Sequence, residues 1–246
     1  MALFSGHELK ARVHFWPAFA HDSAGTALEV KQLLSTREIL PQGILFVAEG
    51  VNGDTSQVCE ALKDNPQSLA GFLAAGEIRA GKIFQVGGAH SGSGALSMVE
   101  LEGKIRLGIG QWTGWKDIGL DYLVTRARGT WIQTLNGLPA AEIYSRMFGF
   151  QGRDWARPPL TDLARIYCPG IETAPGAADL RYRSSLHLEV DGSLRMNAPV
   201  PEGQKAHLLV GDRNACLEAG RQSVHHTQQT LGKARPLLAL ILVDLA

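Results

Sequence analysis

The sequence has no surplus of charge: 24 basic and 24 acidic side chains balance over 246 residues. The basic residues are also dispersed, as Arg126, Arg128, Arg153, Arg157, Arg181 and Arg183 illustrate. A chain with so little net field cannot gather nucleic acid or an anionic membrane surface, so neither is expected as a partner. Cysteine is scarce. Cys59, Cys168 and Cys216 are odd in number and far apart, with no CxxC pair and no zinc-ligand spacing. They read as buried free thiols in a reducing compartment. The N-terminus "MALFSGHELKARVHFWPAFA" lacks the uninterrupted apolar core of a secretory signal. The longest apolar run, "PLLALILVDLA", is too short to cross a bilayer. These absences point to a soluble, cytoplasmic protein without a bound metal. Its 45% hydrophobic content suffices for one large domain or two small ones.

What is present is a succession of hydrophobic periods. Lys10 to Trp16, "KARVHFW", alternates as a strand. "HDSAGTALEVKQLLSTREIL" carries Leu28, Val30, Leu33 and Leu34 at helical spacing. "GILFVAEG", Gly43 to Gly50, has the length and flanks of a buried strand. "VNGDTSQVCEALKD" then opens a helix, with Asp54 or Thr55 as cap and Val58, Ala61 and Leu62 on one face. Gly50 to Asp54 is therefore a strand-to-helix turn.

From Gly81 onward the texture is β. "GALSMVELEGKIRLGIGQW" reads as a hairpin turning at Glu102-Gly103, and "DYLVTRARGTWIQTL" as a pair around Arg128-Gly129. "GTWIQTLNGLPAAEIYSRMFGF" changes period at Asn136-Gly137, a turn followed by a helix that accepts Pro139 in its first turn. Gly149 to Pro175 reads as irregular connection around a short strand, "ARIYCP". Strands return in "LRYRSSLHLEVDGSLRMNAPV", turning at Asp191-Gly192, and in "EGQKAHLLVGD". A long helix is expected from about Asp212 to Gly232, with Leu217, Val224 and Leu231 along one seam, and "LLALILVD" as a last strand. The sum is an α+β fold: mixed, mostly antiparallel sheets with helices packed on their outer faces, in two subdomains.

No segment carries a phosphate-loop, dinucleotide, nucleophile-elbow or metalloprotease pattern. "GGAHSGSG", Gly87 to Gly94, lacks the closing Lys-Ser/Thr and reads as a β-connection. His225 and His226 are helix neighbours pointing about 100° apart, which disfavours a shared metal. Trp112, Trp115 and Trp131 lack the interleaved basic residues of a nucleic-acid stacking platform. Glu49, Asp54 and Glu77 sit at element ends near glycines, where sites form, but without a nucleophile or an oxyanion motif. No catalytic residue is expected, and a hydrolase using Glu49 or Asp54 as base is the third reading of the chain.

Several segments, taken in order, resemble the FIST sensory domains of bacterial signal transduction. "GILFVAEGVNGD" resembles the family's strand ending in a Gly-Leu-Asn-Gly loop, carried here by Gly50, Val51, Asn52 and Gly53. "LAGFLAAGE" is similar to its small-residue glycine-rich segment, with Ala74 and Ala75 where the family has Asp. "SGALSMVELEGKIRLGIGQWTGWKDIG" resembles the strand pair leading into a Gly-Trp-x-Pro-Ile-Gly turn, with Asp117 in place of Pro. "VTRARGTWIQTLNGLPAAEIYSRMFGF" and "YRSSLHLEVDGSLRMNAPVPEGQKAHLLVGD" resemble the start and core of a second FIST subdomain. The resemblance implies a partial N-terminal domain over residues 1–128 and a partial C-terminal domain over 129–246. The family pattern extends beyond both ends of this sequence.

It further implies a cytoplasmic sensor of a small ligand, an amino acid or related metabolite. The signal would pass to a histidine kinase, a cyclase or a chemoreceptor, and no cofactor is expected. One branch of the family binds haem and detects nitric oxide. In that alternative His187, His207 or His90 would be the axial ligand. The expected ligand site comprises Gly50, Asn52, Gly53, Asp54 and Glu77, with Trp112 and Trp115 as an apolar wall. The three bends Gly50 to Asp54, Ala70 to Glu77 and Gly114 to Gly119 are attractive because free backbone N–H groups beside a helix start suit a carboxylate.

Overall fold

The hydrophobic periods resolve, in a computed structural model describing residues 9–74, 76, 83–150, 155, 160–177, 179–236 and 238–242, into an α+β fold. The described residues form five helices, a four-stranded sheet, an eight-stranded sheet and a small hairpin. None of those helices is long and apolar enough to cross a membrane. Two compact units share the chain: residues 1–112 with 221–243, and residues 113–220 with 244–246.

In the first unit, β2 (Gly43–Glu49) is buried at Gly43, Ile44, Phe46, Ala48 and Glu49, as a strand covered on both faces must be. It pairs antiparallel with β6 (Leu96–Gly103) and parallel with β3 (Ser68–Ala74), and β1 (Leu9–Trp16) completes the order β1-β6-β2-β3. A parallel pair needs a crossover, which α2 (Thr55–Ala61) supplies. The register sets His14 and Trp16 of β1, Leu96, Met98 and Glu100 of β6, and Ile44, Phe46 and Ala48 of β2 on one face. Over that face lies α1 (Ser23–Ser35). Its N-cap Asp22 accepts the Gly25 N–H at 2.8 Å, and its buried stripe is Thr26, Ala27, Val30 and Leu34. Leu28, expected on the stripe, is 67% exposed.

Three expectations for this unit are corrected. The bend at Ala70 to Glu77 is strand β3 as far as Ala74; Ala75 and Glu77 lie outside the described residues. Gly71 is needed because a Cβ there would stand 2.7 Å from the Phe46 ring and its carbonyl, so the small residues mark close strand packing. No hairpin forms at Glu102-Gly103 either, because β6 has both edges taken by β1 and β2. The following segment runs beside α5 (Arg213–Leu231) instead: Arg106 donates to the Leu231 carbonyl at 3.3 Å, and a Cβ on Gly110 would meet the Ser223 carbonyl at 2.0 Å. "LLALILVD" is no strand among its described residues, where Leu238, Leu240, Ile241 and Leu242 are exposed. An apolar run becomes a strand only against a partner edge.

The second unit is built on the order β11-β10-β14-β7-β8-β13-β12. The long strand β7 (Trp115–Arg128) turns at Gly129 into β8 (Trp131–Leu135), as expected. The anticipated division after Arg128 coincides with this turn, while the compact units divide elsewhere. Asn136 and Gly137 both take positive φ, 50° and 78°, in the turn to β9 (Leu138–Pro139). The Asn136 side-chain oxygen accepts the Leu123 N–H at 2.6 Å, so the pair fixes chain reversal. α3 (Ala140–Phe148) then buries Ala140, Ala141, Ile143 and Tyr144 on one face. "ARIYCP" is corrected: it is the end of α4 (Leu160–Ile166) leading into β10 (Pro169–Glu172). The expected seam on α5 is corrected too. Leu217 and Val224 are exposed, and Ala215 and Ala219 are the buried residues. Of the three cysteines, expected to be buried, only Cys168 is; Cys59 and Cys216 are exposed.

Glu100 is the most demanding residue of the first unit, with a side chain entirely out of water. Arg37, just past α1, grips it as a fork: Nη2 and Nε donate to its two oxygens at 2.6 and 3.1 Å. His14 Nε2 lies 2.5 Å from the same carboxylate. Removing one side of a buried pair strands the other charge. Arg37→Leu is therefore expected to cost about 3 kcal/mol of stability, read as a lower midpoint in urea unfolding with an unchanged slope.

Candidate functional site

The loop that the sequence singles out follows β2 and enters α2. Asp54 caps this helix: its Oδ1 accepts the Ser56 N–H at 3.0 Å and the Ser56 hydroxyl, and Gln57 donates to Oδ2. The Asp54 N–H is itself taken by Ser23 Oγ at 2.9 Å. Gly53 is required by close approach, since a Cβ there would stand 2.3 Å from the Phe19 ring. Gly50, Val51 and Gly53 are buried, and Asn52 is the exposed member.

The free peptide N–H groups expected in this loop are corrected. Glu49, the last residue of β2, turns its buried carboxylate back into the bend. Its Oε1 accepts the Val51 N–H at 3.0 Å and the Asn52 amide at 3.3 Å. Its Oε2 accepts the Asn52 and Gly53 N–H groups at 2.6 and 2.7 Å. Buried donors must find acceptors, and the chain supplies one from the residue just before the bend. The nest exists, and its anion is built in. With each oxygen holding two hydrogen bonds, Glu49 has no free side to act as the base of a hydrolase.

The other expected residues do not gather around this loop. Glu77 lies outside the described residues. Trp112 is 58% exposed. Trp115 is half-buried at the start of β7, opposite Gly211. The anticipated bend from Gly114 to Gly119 is corrected to a strand with a bulge: Gly119 has φ of 78°, and its N–H donates to Asp117 Oδ1 at 2.8 Å.

The histidines also separate. His90 is exposed and stacks on Phe15, with ring centroids 6.0 Å apart. His187 is half-buried on β12 (Ser185–Leu188). His207 stands on β14 (Lys205–Gly211) with both nitrogens engaged: Nδ1 is 2.9 Å from Asp117 Oδ2, and Nε2 is 3.1 Å from Glu172 Oε1. In that arrangement the ring presents no lone pair to an iron atom. Burial opposes its charge, but the hydrogen bonds to Glu172 and Asp117 and their negative charges outweigh it and hold its pKa above the ordinary histidine value. The hydrogen bond from His207, reinforced by the Gly176 N–H, holds Glu172 below the ordinary glutamate value. Among the described residues no group of three or more His, Cys, Asp or Glu side chains is placed to hold a metal ion.

Sequence reasoning missed a shallow, open cleft of about 460 Å³ between His14 to Trp16 of β1 and Glu29, Gln32 and Leu33 of α1, with Thr36 at the helix end. None of the expected ligand residues lines it. One signal was legible: Glu100 shares the parity of Leu96 and Met98 on β6, a charge at a core position that demands a partner.

Two outcomes test these arrangements. Glu49→Ala leaves the Val51, Asn52 and Gly53 N–H groups without their acceptor and should cost about 2–4 kcal/mol in chemical unfolding. His207, with its raised pKa, adds stability that is complete below pH 6.5 and is lost as pH rises through its folded value. Glu172 acts oppositely, its contribution present above its unfolded pKa and lost as pH falls through its depressed one. The melting temperature should therefore decline from pH 6.5 upward, and His207→Gln should flatten that decline.

The family model described as the FIST N domain matches residues 2–138, more than half of the chain. That stretch contains the β2 loop with its internal carboxylate, the β1–α1 cleft and the Asn136-Gly137 turn. No curated protein and no solved structure matches the chain. FIST domains are non-catalytic sensory domains of signal transduction. The matched stretch carries the Gly50 to Gly53 loop and the Gly114 to Gly119 segment, two of the segments in which the resemblance lies, and the chain belongs to the FIST domain family.

Proposed function

We propose that this chain is the ligand-binding part of a bacterial cytoplasmic signalling protein. It takes up a small metabolite, an amino acid or a relative of one, without transforming it. A histidine kinase, cyclase or chemoreceptor reads the result. The observation that carries the reading is the cleft between β1 and α1. Its volume of about 460 Å³ falls in the range of small-molecule sites, and all its lining residues lie inside the FIST N match. The loop from Gly50 to Asp54 enters as the scaffold that starts α2, with Asn52 as its one exposed side chain. The partial N-terminal and C-terminal FIST domains, residues 1–128 and 129–246, belong to the same proposal.

A ligand that binds only the folded state stabilises it by mass action, by about 2.7 kcal/mol at a hundred times Kd. In a thermal-shift screen of amino acids and related metabolites, at least one compound should raise the melting temperature in a saturable manner. Mass spectrometry after incubation should recover it unchanged. A flat response across the panel would count against ligand sensing, and conversion of the bound compound would make the chain an enzyme.

A further inference from the structure

The charge balance around the β1–α1 cleft says more than its volume does. The basic neighbours of the cleft are engaged elsewhere. His14, in its lining, has Nε2 2.5 Å from the buried Glu100 carboxylate, and Arg37, just past α1, donates from Nε and Nη2 to both oxygens of that carboxylate. Arg12, next along the same face of β1, pairs with Glu102 at 2.8 Å. Withdrawing Arg37 would leave Glu100 without its cation in a place that water cannot reach. Glu29, by contrast, is exposed on α1 and has no ion-pair partner among the described residues. The uncompensated charge of the cleft is therefore negative.

The rest of the lining suits the same sign. Trp16 is half-buried and contributes an indole beside His14, their ring centroids 5.8 Å apart. An indole face attracts cations through its quadrupole, more strongly than any other side-chain ring. Leu33 adds apolar surface suited to a hydrocarbon substituent. The Thr36 hydroxyl donates its proton to the Leu33 carbonyl at 2.9 Å, which leaves its lone pairs to accept a hydrogen bond from an N–H. The Gln32 amide oxygen is a further acceptor. An anion entering the cleft would meet the Glu29 carboxylate, and neither Arg nor Lys stands among the lining residues to answer it.

We infer that this cleft binds a small organic cation, an alkylammonium or quaternary ammonium compound, between the Glu29 carboxylate and the Trp16 ring. The inference rests on the ligand-binding reading above and assigns it a place and a chemical class. Glu29 supplies the charge, Trp16 the polarisable wall, and Gln32 and Thr36 the acceptors that would distinguish a primary amine from a quaternary one.

The test is an amide NMR titration of the full chain at fixed ionic strength, using tetramethylammonium chloride, butylammonium chloride and, as the anionic counterpart, sodium butyrate. Both cations should shift resonances saturably at residues 14–16 and 29–36, and butyrate should not. Glu29→Gln changes an exposed helix residue, preserves the fold, and should weaken cation binding about two- to fivefold. Trp16→Phe, which keeps a ring, should weaken it less than Trp16→Leu. Absence of cation shifts at those positions, or an unchanged affinity in Glu29→Gln, overturns the inference. Saturable butyrate binding there overturns the chemical class while sensing at the cleft survives. A metabolite from the thermal screen that protects Glu29→Gln as well as wild type leaves sensing intact and moves it elsewhere. Cation binding at the cleft with a flat metabolite screen upholds the site and removes the sensory reading.

Discussion

Glu100 carries a carboxylate to a part of the four-stranded sheet that water does not reach, and a charge there has to be answered from within the protein. The answer comes from two directions in sequence, Arg37 just beyond α1 and His14 on β1. Because α1 is tethered to the sheet at that end by a charged fork, its Glu29, Gln32 and Thr36 are held over the β1 strand. The hydrophobic stripe of Thr26, Ala27, Val30 and Leu34 decides that α1 lies on the sheet. Greasy contact alone is tolerant of sliding; a bidentate ion pair is not.

The same necessity recurs at smaller scale. Glu49 satisfies the peptide groups of its own loop, and the carboxylates of Asp117 and Glu172 hold His207 on either side of its ring. In each case the carboxylate is answered within its own unit, by a partner distant in sequence or by the backbone. Such pairings fix geometry more than they add net stability.

This explains what could be read in advance. Strands and helices whose patterns are local were legible: β1, α1, β2 and α2, the Arg128-Gly129 and Asp191-Gly192 turns, and the long α5 all lie where periodicity and turn chemistry put them. What failed depended on competition between distant segments. The run after Gly103 is a fair strand by composition, yet β1 and β2 had already taken the edges of β6. "LAGFLAAGE" looks like a loop because small residues dominate it, though Gly71 is small to admit Phe46. The turn from Gly50 to Asp54 was placed correctly and its chemistry misjudged. Counting donors without counting the preceding residue's carboxylate made a satisfied loop look hungry. The cleft residues gave no motif at all, since His14 and Glu29 meet only after β1 and α1 have docked.

Glu49 has a consequence for any negatively charged visitor to the rim of the first sheet. Such a molecule would have to evict a carboxylate anchored to the very backbone it wants to grip. A tethered rival of this kind enjoys an effective concentration set by its short linkage, far above that of most free solutes in a cell. The chain thus carries a resident occupant at this corner, which a free phosphate or organic acid would first have to displace.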